Sequence, residues 1–401
     1  MIYTLLMNPY IQYLSFNGFV LLLYLCQLSS FYNIQYEFIL YFISVLVFFG
    51  LITRKLYNNH DQYLGKIENL LCIKDKRSFC WIIWITFFIG TIASIYQVYA
   101  YGATILQENK VGHISGSHYI GYLVDCLQIS LAMAYTGIRL KTTRFIFLLK
   151  VICVVSIGLL LIRMNRGAFS FSLLVMIYLS FFHASLDHRM LQWKRKMSFI
   201  LFVVVVLFGF IGDLRLEVVL ETFYRMTINE LYGMSEVFPS PFVWVYMYLT
   251  SPLENASRIF MEQSVWDYHL GLNMIYPFVA PLSKMIFDRR LDLFPPLQEE
   301  AGLNTASYMI DAFNDFGYVG PYIYMCYLAL IYFIGCRARH HNIYGVFCYL
   351  CAVDMGLWMI FGNGLALGSK MMMFLFFLFM TYRENVLRFL LKGSGSHRLD
   401  V

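Results

Sequence analysis

The chain has 401 residues, 60% of them hydrophobic and only 13% charged, with a mean hydropathy of +0.63. Soluble domains carry roughly 25% charged residues, so a water-soluble enzyme is excluded and an all-α polytopic membrane protein is expected. The formal charge of +6 is no nucleic-acid signature in such a chain, because basic residues of membrane proteins gather in cytoplasmic loops.

Segments of about 20 mostly apolar residues mark spans. They fall at 10–30, 36–53, 80–101, 119–138, 144–162, 167–186, 197–213, 317–336, 343–361 and 370–387, which predicts about ten transmembrane helices. Residues 144–186 cannot form one helix, because at 1.5 Å per residue they would run about 64 Å, twice the hydrocarbon thickness. The start of the chain has no small-residue cleavage site, so the first span is expected to stay in the membrane. Four regions follow: N-terminal spans over 1–213, a large loop over 214–316, C-terminal spans over 317–392 and a flexible tail over 393–401.

Lys and Arg cluster in alternate connections: Arg54, Lys55, Lys66, Lys74, Lys76 and Arg77; then Arg139, Lys141 and Arg144; then Arg189, Lys194, Arg195 and Lys196. Arg337, Arg339 and the tail residues Arg383, Arg388 and Lys392 continue the series. These connections are therefore read as cytoplasmic, with both termini inside. The opposite connections, including the net acidic island 213–315, then face outward.

Charge in unexpected places needs a reason. Arg163 and Arg166 sit at an outer hairpin tip, against the orientation rule, and three-residue spacing puts both on one face of a helix. Snorkelling to headgroups explains them blandly; an anion clamp explains them functionally, because a guanidinium fork matches phosphate. Asp125 and Asp354 lie inside spans, where a carboxylate is expensive and calls for a basic partner or a polar cavity. Cys348 and Cys351 form a CxxC within an apolar run, where core packing outweighs redox chemistry.

The island opens with Asp213-Leu-Arg215 and an amphipathic stretch to about Tyr232, read as an interfacial helix. Glu221 and Arg225 within it are four apart and fit a surface pair. The aromatic run Phe242 to Leu249 is too short to span, and Thr250-Ser-Pro252 is expected to end it. Trp244, Tyr246 and Tyr248 in that run suit interfacial anchoring or a lipid or sugar surface. Arg258 and His269 follow, then Lys284, Arg289 and Arg290, and Asn314-Asp315-Phe-Gly317 leads into the next span. Asn and Asp before a helix commonly cap it. No nucleotide-binding, zinc-protease or serine-elbow motif occurs.

This pattern resembles the bacterial O-antigen polymerases, the Wzy family. The resemblance rests on Arg163-Met-Asn-Arg166-Gly167-Ala-Phe, Asp213-Leu-Arg215, Tyr248-Leu-Thr-Ser-Pro252-Leu-Glu-Asn255, Asn304-Thr305 and Asp315-Phe-Gly317-Tyr-Val-Gly320. The plan of ten or more spans with one large late loop extends it over the whole chain. It implies a GT-C-like inner-membrane glycosyltransferase acting on oligosaccharide repeat units linked to undecaprenyl pyrophosphate, with a chain-length co-polymerase (Wzz) as partner. In that reading Arg163, Arg166 and Arg215, then Arg258 and Arg289, stabilise the pyrophosphate leaving group. His269 and Asp315 are the candidates for general base. Arginines that neutralise the pyrophosphate leave no need for a metal, and no cofactor is expected. Two other readings share parts of the pattern: an O-antigen ligase, which would use a histidine of the island, and a lipid-linked oligosaccharide flippase.

Overall fold

A computed structural model describes residues 8–57, 73, 75–101, 120, 123–143, 145–162, 170–186, 189–219, 227–263, 266, 268–276, 278, 307–362 and 368–394. Among these there is no β-strand. A helix falls on each of the ten segments expected from apolarity: α1 (Pro9–Leu25), α2 (Tyr36–Tyr57), α3 (Lys76–Tyr101), α4 (Cys126–Arg139), α5 (Ile146–Ile162), α6 (Ser170–Leu186), α7 (Met190–Val219), and three late helices named below. Within the island lie α8 (Ile228–Leu231), α9 (Ser240–Met261) and α10 (Tyr308–Phe316). The late three are α11 (Gly320–Ala338), α12 (Ile343–Trp358) and α13 (Gly368–Ser394).

Among the described residues three stretches are long and apolar enough to cross a membrane: Tyr36–Arg54, Lys76–Ala100 and Tyr308–Ala338; Ile146–Leu160, Ser170–Phe182 and Ile343–Trp358 are shorter apolar helices. The outward faces are as apolar as the interior. On α2 Leu40, Ile43, Val47 and Leu51 are exposed at helical spacing, and on α3 Trp81, Ile85, Phe88, Ile92 and Ile95 repeat the pattern. A continuous apolar flank of this kind is incompatible with water and compatible with lipid.

Three boundaries differ from the sequence reading. Helix α4 has 14 residues, about 21 Å, and is set off by a turn at Asp125 from helical residues Leu123 and Val124. Helix α7 does not stop at 213 but runs 30 residues, about 45 Å, so the large loop begins inside a helix. Helix α9 passes straight through Pro252. Proline deletes one backbone donor, but buried Val243, Trp244 and Met247 before it and Leu253, Ile259 and Phe260 after it hold the helix together on both sides. Packing overrides the local breaker.

The contacts of α9 define its placement. Tyr246 accepts at its hydroxyl from Leu28 N–H (2.9 Å), Tyr32 and Thr250 share a hydroxyl contact of 2.7 Å, and Tyr24 Oη donates to Glu254 Oε2 at 2.7 Å. Arg258 donates to the Phe31 carbonyl at 3.2 Å. One short connection between α1 and α2 thus touches about 18 Å of α9. The helix lies across the end of the α1–α2 hairpin rather than alongside it. Trp244 and Tyr246 are buried there, whereas Phe242 is exposed and Tyr248 half-buried, so only part of this aromatic run is core. Burial pushes the Tyr246 phenol up to about 12, which keeps it protonated.

Candidate functional site

The site grows from the C-terminal end of α10. Ser307 caps the start of this helix by accepting from Met309 N–H at 3.2 Å, and Tyr308 N–H donates to the Met359 carbonyl at 2.9 Å. The helix ends at Gly317, whose φ of +59° favours glycine. The last carbonyls of a helix lack intrahelical donors. Here the segment after α9 supplies them: His269 N–H donates to Asn314 O at 2.7 Å and Leu270 N–H to Asp315 O at 3.1 Å.

The Asp315 side chain closes the other half of the knot. It is fully buried. Its Oδ1 accepts from Asn273 N–H at 3.1 Å, and its Oδ2 from Met274 N–H at 3.0 Å and Tyr324 Oη at 2.7 Å. The two amides belong to the helical turn 272–276, so Asp315 caps that turn across space rather than the helix that follows it in sequence. Val319 precedes α11, with no side-chain cap. The Asn314 amide is buried without a hydrogen-bond partner. The local capping expected of this Asn-Asp pair is therefore replaced by a tertiary one.

His269 is presented by backbone that L-residues seldom adopt. Tyr268 and Leu270 on either side both have φ of +51°, and Gly271 follows at +90°. Non-glycine residues in this region cost of order 1–3 kcal/mol each and persist only where surrounding structure over-determines them. The His269 ring is half-buried, with Nδ1 3.3 Å from the side-chain nitrogen of buried Asn273. Beneath the loop Trp266 Nε1 donates to Ile259 O at 3.0 Å, and its ring stacks on Phe313 with centroids 5.4 Å apart. The structure thus brings His269 and Asp315 together, with Asp315 fixing the loop that carries His269.

Arg258 stands on the last turn of α9. Its Nε meets Glu254 Oε1 at 2.8 Å, and its side chain is 29% exposed against 5% for Glu254. Its charge is shared with a carboxylate. Arg163, Arg166 and Arg289 lie outside the described residues, as do Glu221 and Arg225; Arg215 falls on α7, with its side chain outside them.

A second polar cluster was half legible in the sequence. Asp354 on α12 pairs with Lys370 on α13, both buried. Lys370 Nζ also donates to Ser170 Oγ at 2.9 Å, Trp358 Nε1 donates to the same oxygen at 2.8 Å, and the ammonium lies 5.1 Å from the Trp358 ring centroid. That Asp354 called for a basic partner or a polar cavity followed from its cost; that Lys370 pairs with it did not. Asp125, by contrast, accepts from Gln128 Nε2 at 2.9 Å beside the start of α4. Cys348 and Cys351 are buried thiols in α12. Among the described residues no group of three or more His, Cys, Asp or Glu is placed to hold a metal ion.

Comparison with known proteins adds no name to this geometry. No protein-family model matches the chain, and neither the curated proteins nor the solved structures contain a match.

Proposed function

We propose that this protein is a membrane glycosyltransferase that polymerises undecaprenyl-pyrophosphate-linked oligosaccharide repeat units, with a GT-C-like plan of ten spans and its island on the periplasmic side of the inner membrane. The observation that carries the reading is the strained loop of His269, fixed by buried Asp315. Rigid placement of a titratable ring at strained backbone is how sites pre-organise a proton acceptor.

In this reading an acceptor sugar hydroxyl attacks the anomeric carbon of the donor glycan. His269 takes the hydroxyl proton as the new glycosidic bond forms. The bond to pyrophosphate breaks, and undecaprenyl pyrophosphate leaves with the electron pair. Arg163, Arg166, Arg215, Arg258 and Arg289 are assigned to its charge, since guanidiniums stabilise such a group as it departs. Every carboxylate oxygen of Asp315 already accepts a hydrogen bond, so Asp315 acts as the residue that positions His269 rather than as the base. A chain-length co-polymerase fits this activity as a partner.

The test is complementation of a host that lacks its polymerase but makes the matching repeat unit. The native chain is expected to convert single-repeat lipopolysaccharide into a ladder on a gel. His269→Ala is expected to lower polymer formation about 10²–10⁴-fold, and Arg166→Ala to abolish the ladder at equal protein level. Single-repeat bands that persist with well-expressed native protein would overturn the reading. Restored capping of lipid A core in a host lacking its ligase would then mark a ligase, and restored outward repeat units in a host lacking its flippase would mark a flippase.

A further inference from the structure

The loop that presents His269 also builds a small shelf. Tyr268 is 55% and Tyr318 40% exposed. Both rings rest on Trp266: its centroid lies 6.3 Å from that of Tyr268 and 4.8 Å from that of Tyr318, edge-on in each case. Trp266 is itself stacked on Phe313, and Phe260 and Tyr41 pack behind with centroids 5.3 and 6.1 Å from Tyr318. Tyr41 Oη donates to the Tyr318 carbonyl at 2.5 Å. Gln263, exposed, donates its side-chain amide to the Tyr318 hydroxyl.

We infer that Tyr268, Tyr318 and the Gln263 amide form a saccharide subsite beside His269, which holds the acceptor sugar while its hydroxyl reacts; this rests on the glycosyltransferase reading above. A pyranose has an apolar C–H face and a rim of hydroxyls. Exposed tyrosine rings meet the first by C–H contacts with the π face, and their hydroxyls and the amide meet the second.

Two features separate this shelf from a plain membrane anchor. An anchor needs apolar area at the surface and tolerates any ring orientation. The Tyr268 ring instead packs against Gly317, its Cε1 3.1 Å from where a Cβ would stand, and Tyr268 itself has a left-handed backbone. An anchor also has no use for a primary amide joined to a ring hydroxyl. The neighbours Leu270 and Val319, 81% and 61% exposed, do suit an anchor. They place the shelf at the membrane interface, where the first sugars of a lipid-linked oligosaccharide emerge.

The experiment uses the full chain in lipid nanodiscs and, as probe, oligosaccharides released by partial hydrolysis of the source cell's own surface polysaccharide. Saturation-transfer NMR measures binding to three proteins: the native chain, Tyr268→Phe with Tyr318→Phe, and Tyr268→Leu with Tyr318→Leu. Expected are binding by the native chain, retention within about threefold by the phenylalanine pair, and a loss of tenfold or more in the leucine pair. The leucine pair keeps the apolar area that an anchor requires, and its thermal unfolding checks the fold. Equal binding by the leucine pair, or no saturation transfer from the native chain to the oligosaccharides, overturns the subsite. The complementation test above judges the polymerase reading separately, so a ladder without binding would sink the shelf alone.

Discussion

Asp315 and Asp354 are the same residue type at the same depth of burial, and the protein solves the two problems differently. Among the described residues, two backbone amides and one phenol, and no cation, donate to Asp315. Asp354 has Lys370, with its Oδ1 left without a hydrogen-bond partner. Hydrogen bonds from fixed neutral dipoles stabilise a buried carboxylate and also fix the geometry of whatever supplies them. An ion pair satisfies charge, yet a buried pair is weak evidence for stability and is retained where it joins elements. The first arrangement shapes a loop, and the second ties α6, α12 and α13 together.

Substitutions break this contrast in order of expected size. Lys370→Met leaves the Asp354 charge uncompensated and should lower stability by about 3–5 kcal/mol, whereas Lys370→Met combined with Asp354→Leu should recover most of it. Thermal unfolding in nanodiscs measures both, and equal losses in the single and double variants would show that no ion pair operates. Asp315→Ala strips three donors of their acceptor and should cost about 2–3 kcal/mol. Its particular mark is local: protease cleavage within 262–278 should rise before global unfolding does. Uniform destabilisation without new cleavage would mean that Asp315 does not hold the loop.

Arg258→Ala removes one partner of Glu254 while Tyr24 remains, so about 1–2 kcal/mol should be lost, with Glu254→Gln in the same background restoring part. The smallest change sharpens the strain argument. Leu270→Gly relieves a left-handed backbone at an exposed side chain and should stabilise the protein by about 0.5–1 kcal/mol. A loss of stability there would show that Leu270 is not strained.

Local chemistry made much of this legible. Apolar length placed ten helices, because a segment that cannot satisfy its backbone in lipid must be helical. The cost of a carboxylate inside a span marked Asp354 as needing either a basic partner or a polar cavity. His269 stood out as the histidine of the island. Other local rules failed where packing was stronger. Pro252 does not end α9, because buried side chains on both sides of it outweigh one missing hydrogen bond. Trp244 and Tyr246 are core, because α9 lies across the α1–α2 hairpin and needs aromatic bulk to fill the gap.

The sequence by itself determined helix positions, apolar flanks and the types of charged group that required explanation, since these depend on a residue and its neighbours along the chain. Only the tertiary structure decided that Asp315 caps a turn about forty residues earlier, that Lys370 is the partner of Asp354, and that Tyr268 and Tyr318 reach the surface. Each of those depends on which of many chemically equivalent donors, cations or rings is brought near. That choice is made by the packing of helices distant in sequence, and no local spacing encodes it.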